Sequence, residues 1–203
     1  MADPLVTSDN ILNSYGGRVM NDLNEIILGN DQQNYETDIS ISSQYVTLSQ
    51  LPAAVQEYSN GFSVLSLNCQ SINAKFDVIK TILEELRNSK FEFSAICLQE
   101  SWLSGNPPDT SLFHLPGYQT FALGATCSSH GGLLTYISER YNVTHRDLYT
   151  TSKLWEGLFL KISRDGMKPL TLGNIYRPPR RNNNNEVVQS FIAEFGPVIE
   201  KLH

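Results

Sequence analysis

Three polar residues stand at the carboxyl ends of short apolar runs. Asn68 closes 62–67 and Glu100 closes 93–99. Tyr176 closes 170–175, with Arg177-Pro178-Pro179 behind it. Open α/β sheets carry their chemistry at the carboxyl ends of strands. A carboxylate at such a rim can hold a hard cation, which takes oxygen ligands. An asparagine there can donate hydrogen bonds to a phosphate or orient that carboxylate. A tyrosine hydroxyl can donate to a phosphate oxygen, and the planar fork of Arg177 can pair with phosphate. Singly, each residue also fits a plainer role: a turn asparagine, a solvated strand-end glutamate, a core tyrosine beside a surface arginine.

Other chemistries find little support in the 203 residues. His114, His130, His145 and His203 have no regular metal spacing, and no Cys-x-x-Cys pair occurs. There is no Walker-type phosphate loop and no Gly-x-Ser-x-Gly, and Gly131-Gly132 alone is too short a signal. Cys69 and Cys97 lie in or beside apolar runs and read as small buried hydrophobes; with Cys127 they make an odd, widely spaced set suited to a reducing compartment. The N-terminus lacks a basic start followed by an apolar stretch. No run approaches the roughly 20 apolar residues that span a bilayer. These features predict a soluble, intracellular protein of the nucleus or cytoplasm, with no membrane partner.

The elements that must position these residues follow from the pattern. Residues 1–60 hold eight acids against one base, Arg18, contain no lysine and leave a charge of −7, while the rest of the chain carries +1. This polar segment predicts a disordered leader, with a short helix possible near 19–28. From residue 62 the texture changes. Each of the three apolar runs has the length and composition of a buried strand. Between the first two, Phe76, Ile79, Leu83 and Leu86 recur every three or four residues, predicting a helix over 74–88 with Asn73 as N-cap and Asn88-Ser89-Lys90 as its stop. Further strands are expected at 118–123, 133–138, 142–148, 155–162 and 168–176, the last two joined by an Asp165-Gly166 hairpin. They read as mostly antiparallel, so the sheet is mixed. A final helix is expected over 186–202, with Gly196-Pro197 as a candidate kink.

In combination the motifs are more specific. Leu67-Asn68-Cys69-Gln70-Ser71, Lys75-Phe76, Leu98-Gln99-Glu100-Ser101-Trp102-Leu103, Gly117-Tyr118, Gly131-Gly132 and Ile175-Tyr176-Arg177-Pro178-Pro179 follow one another over 62–203. This order resembles the N-terminal half of the endonuclease/exonuclease/phosphatase (DNase I-like) superfamily. It is most similar to the apurinic-type endonuclease domain of LINE-type (non-LTR) retrotransposon polyproteins. The resemblance implies an α/β fold, a partial four-layer sandwich of two sheets with helices outside. It implies Mg²⁺-dependent phosphodiester hydrolysis with DNA as substrate. By resemblance Asn68 positions the phosphate and nucleophile, Glu100 binds the metal and Tyr176 contacts the scissile phosphate.

Two departures matter. Gln70 stands where some relatives carry an acid, a trait that retrotransposon members share. The Asp-x-Asn and Ser-Asp-His motifs that complete the family's site are absent, and Ser8-Asp9-Asn10 lies in the leader. The expectation is therefore an incomplete domain over 61–203, inactive alone and binding DNA weakly or not at all. The alternatives are a non-catalytic binding protein on half a nuclease scaffold, or a phosphatase of the same superfamily.

Overall fold

The computed structural model describes residues 46–47, 49–56, 61–126, 130–152, 154–179 and 185–201, with backbone alone at 145–151 and 185–187. Cys127 and the helix expected near 19–28 lie outside the described residues. The chain falls into two units, Met1–Glu57 and Tyr58–His203. Within the first, α1 (Leu51–Gln56) is a short helix inside the segment read as leader. Thr47 precedes it in a capping arrangement, its backbone N–H donating to Gln50 Oε1 at 2.9 Å.

The second unit runs β1 (Val64–Asn68), α2 (Ile72–Asn88), β2 (Ala95–Gln99), a short turn of 3₁₀-helix (Ser111–Phe113), β3 (Tyr118–Leu123), β4 (Leu133–Ser138), β5 (Asn142–Thr151), β6 (Glu156–Ser163), β7 (Leu170–Tyr176) and α3 (Asn185–Glu200). One sheet has the order β1-β2-β4-β3, the other β5-β6-β7. Only β1 and β2 pair in parallel, which requires the α2 crossover. The remaining pairs are antiparallel, and Gly166 (φ 77°) supplies the turn between β6 and β7.

Alternation along the strands sorts the two faces. Ala95, Leu133 and Ile137 of the first sheet pack against Leu158, Leu160, Ile162 and Tyr176 of the second, so the main core lies between the sheets. The opposite face of the first sheet carries Ile96, Leu98, Leu134 and Tyr136, all fully buried, on the side of the α2 crossover. On the outer face of the second sheet, Trp155 meets Phe159, Phe191 and Phe195 edge to face. That aromatic cluster docks α3. The layers are therefore α2, sheet, sheet, α3.

Three expectations need correction. Asn73 is not the N-cap, because α2 begins at Ile72, with Ser71 (φ 86°) before it and no side-chain cap. Backbone contacts replace the cap: Cys69 N, Ser71 N and Ile72 N donate to the carbonyls of Gln99, Glu100 and Ser101 at 2.9, 2.8 and 3.1 Å. The β1 run is not a buried strand. It is an edge with one paired neighbour, and Val64 is 42% exposed. The strand expected at 155–162, whose apolar and polar residues alternate in the sequence as in a half-exposed strand, is instead buried on both faces from Glu156 to Leu160, because α3 covers its outer side. The last helix continues through Pro197 to Glu200.

Candidate active site

Asn68 and Glu100 meet. The two strands that carry them run parallel, with Asn68 opposite Gln99. Asn68 Nδ2 donates to Glu100 Oε1 at 2.8 Å, while Asn68 Oδ1 accepts from Gln70 N at 3.3 Å. The amide is thus held by its own turn and in turn fixes one oxygen of the carboxylate. Glu100 is 9% exposed, so the group is mostly withdrawn from water at the sheet's rim.

The backbone here is strained. Gln70 (φ 45°), Ser71 (86°), Glu100 (53°) and Trp102 (58°) all occupy the left-handed region that favours glycine. Such residues cost about 1–3 kcal/mol each and persist where the surroundings over-determine them. The surroundings here are a ladder of backbone bonds: the three into α2, plus Ser101 N to Gly132 O and Trp102 N to Gly131 O, both 3.0 Å.

Tyr176 comes from the other sheet, at the same end of the sandwich. It is buried and belongs to the inter-sheet core. Two polar ties link its sheet to the Glu100 side, one from β7 and one from β6. Asn174, 1% exposed, accepts from Gln99 Nε2 at 2.7 Å and donates to Thr135 Oγ1 at 2.9 Å and to Leu98 O at 3.2 Å. Glu156, directly opposite Tyr176 in the β6–β7 register, is 1% exposed. Its Oε1 accepts from Thr126 N (2.9 Å) and Thr126 Oγ1 (2.7 Å), and its Oε2 from Gly132 N (2.6 Å). Arg177 is exposed, and its guanidinium lies over the Phe191 ring of α3, 5.3 Å from the centroid.

This architecture has a solved counterpart. An AP endonuclease from Leishmania major superposes with a TM-score of 0.54 at 14% identity, over 91% of this chain and 59% of its own length. The catalytic domain of Xenopus laevis APE2 matches with a TM-score of 0.44 at 16% identity, over 69% of this chain and 52% of its own. The chain has the DNase I-like α/β fold. It spans little more than half the length of either protein. No protein-family model matches the sequence, and no curated protein matches it.

Burial pushes Cys69 and Cys97 up to about 12, far from the thiolate. No helix among the described residues is long and apolar enough to cross a membrane.

Sequence reasoning reached Asn68, Glu100, Tyr176 and Arg177 but missed Gln99, Asn174 and Glu156. A signal existed for two of them. Asn174 is an amide inside an apolar strand, and Glu156 is the only charge between Trp155 and Leu160. A polar residue in a fully covered strand must have partners.

Proposed function

We propose that residues 61–203 supply the asparagine, glutamate and tyrosine of a divalent-cation-dependent phosphodiesterase. In the intact enzyme this site nicks DNA, as the endonuclease of a non-LTR retrotransposon. The observation that carries the reading is the 2.8 Å bond from Asn68 to Glu100, set in strained backbone at the carboxyl end of a sheet.

The residues fit a weakly held Mg²⁺. Glu100 offers one oxygen locked by Asn68 and a second with no hydrogen-bond partner among the described residues. Mg²⁺ keeps most of its waters and is commonly held by one or two carboxylates together with substrate phosphate. When bound, the cation would stabilise the negative charge that builds on the phosphate. Asn68 keeps the Glu100 carboxylate in one orientation. Tyr176 donates its hydroxyl to a non-bridging phosphate oxygen, and Arg177 adds positive charge beside it.

The attacking water needs a base. Among the described residues no three His, Cys, Asp or Glu side chains cluster to complete a metal site. A second reading, a non-catalytic protein on the same scaffold, draws on that observation. The first reading holds the cation at Glu100. Electron paramagnetic resonance of Mn²⁺ bound to the 203-residue chain tests this. Wild type binds, Glu100→Gln releases the ion, and Asn68→Ala weakens binding by about tenfold. Equal binding by wild type and Glu100→Gln refutes the assignment.

A further inference from the structure

We infer that Glu156 is the positioning residue for Glu100, acting through Thr126 and the Gly131-Gly132 backbone. The inference rests on the cation-site reading above and deepens it.

A carboxylate only 1% exposed is costly unless it is fully hydrogen-bonded. Among the described residues, the donors to Glu156 are Thr126 N, Thr126 Oγ1 and Gly132 N, at 2.6 to 2.9 Å. Bonds of that length to a carboxylate belong to the strong, charge-assisted class. The Gly131-Gly132 backbone is shaped to receive it. Gly131 (φ 92°) passes so close that a Cβ there would lie 2.5 Å from Glu156 Oε1, and a Cβ on Gly132 (φ 79°) would lie 2.6 Å from Ser101 Oγ. Only glycine satisfies both the backbone angle and the clearance.

The same two glycines then hold the segment after Glu100. Gly132 O accepts from Ser101 N and Gly131 O from Trp102 N, each at 3.0 Å, while Leu103 O accepts from Ala125 N at 2.7 Å. Glu100 and Trp102 both sit at positive φ, so these carbonyls are what keep the strained turn in place. The path is continuous: Glu156 carboxylate, Gly132 N–H, Gly132 and Gly131 carbonyls, Ser101 and Trp102 N–H, Glu100. Because Glu156 lies opposite Tyr176 on β6, it also fixes the second sheet's half of the site to the first sheet's half.

Terbium tests this on the full chain. Tb³⁺ takes oxygen ligands as hard cations do, and its luminescence is sensitised by a nearby indole. Trp102, 42% exposed, lies two residues from Glu100, whereas Trp155, the other tryptophan, is fully buried. Wild type gives a saturable signal and Glu100→Gln removes it, which tests the site itself. Glu156→Gln keeps the shape but turns an amide donor toward these donors. It weakens Tb³⁺ binding by about tenfold or more, while unfolding remains one cooperative transition. Thr126→Val removes one bond and weakens binding by about threefold. If both variants bind as wild type does, the positioning role is overturned. If Glu156→Gln does not fold, Thr126→Val decides alone. Iodide quenching of Trp102 reads the turn without any metal and rises in both variants. Should wild type fail to bind Tb³⁺, the site reading fails. Unchanged quenching would then overturn the positioning role, and increased quenching would uphold it.

Discussion

Asn68 and Glu100 are ordinary side chains, Asn68 at the end of a regular strand and Glu100 in unusual backbone. Glu100 reaches φ 53° only because the carbonyl of its own residue accepts from Ser71 N and the next two amides are tied to Gly132 and Gly131. Their types and strand-end positions are visible in the sequence, because a polar residue closing an apolar run has few reasons to be there. The strain is not visible, since nothing in Gln70, Ser71, Glu100 or Trp102 prefers positive φ. Asn174 and Glu156 are visible as polar residues in apolar strands, but their partners are not. A polar residue inside a strand cannot be matched to its donors until the facing sheet is known. Elsewhere, burial also sets the alkaline limit of the fold. It pushes the Cys97 thiol from its usual 9.0 and the Tyr118 hydroxyl from 10.0 up to about 12. The native state therefore keeps protons that the unfolded chain has shed. Stability is full below about pH 9 and declines as pH rises toward 12. Urea titrations from pH 8 to 11 will show the midpoint falling, and Cys97→Ala will flatten part of that fall. A constant midpoint would contradict the burial argument.

Among the elements, the strand–helix–strand unit was legible because its periodicities are strong. The strand at 118–123 and the strand at 133–138 match β3 and β4. The start of α2 was not legible. Its first amides are served by the carbonyls of Glu100 and Ser101, a tertiary substitute for the cap that Asn73 seemed placed to provide. Burial of β1 was misjudged for a related reason: composition cannot say that a strand is an edge. The elements that carry the site are joined by Asn174, which bridges β7 to β2 and β4. Asn174→Leu has similar bulk but removes the partner of buried Thr135 Oγ1, the donor to Leu98 O and Leu134 O, and the shortest of the bonds made by Gln99 Nε2. It will destabilise the fold by about 2–4 kcal/mol in urea unfolding, since each buried polar group left unpaired costs about 1–3 kcal/mol. A loss below about 0.5 kcal/mol would mean that the inter-sheet tie is not needed.

At the scale of the molecule, the proposed site draws on two sheets. Asn68 and Glu100 come from one, Tyr176 from the other, with Gln99–Asn174 and Glu156–Gly132 as crossing ties. The second unit's near-neutral balance and the −7 of residues 1–60 give little electrostatic pull on DNA. Supercoiled plasmid incubated with the 203-residue chain and Mg²⁺ tests whether these residues include a base for the attacking water. Nicking that Glu100→Gln abolishes would place a base within these residues. The account's central claim is that Asn68, Glu100 and Tyr176 form one cation- and phosphodiester-binding site. Coupling between the two ligands tests it most directly, because ligands sharing one site must strengthen each other reciprocally. Mn²⁺ affinity measured with and without a thymidine dinucleotide should rise about tenfold with the dinucleotide, a coupling within the usual 1–3 kcal/mol. Tyr176→Phe should reduce that gain and Glu100→Gln should abolish both ion binding and gain. Mn²⁺ affinity that is indifferent to the dinucleotide, or a gain that survives Glu100→Gln, would contradict the account.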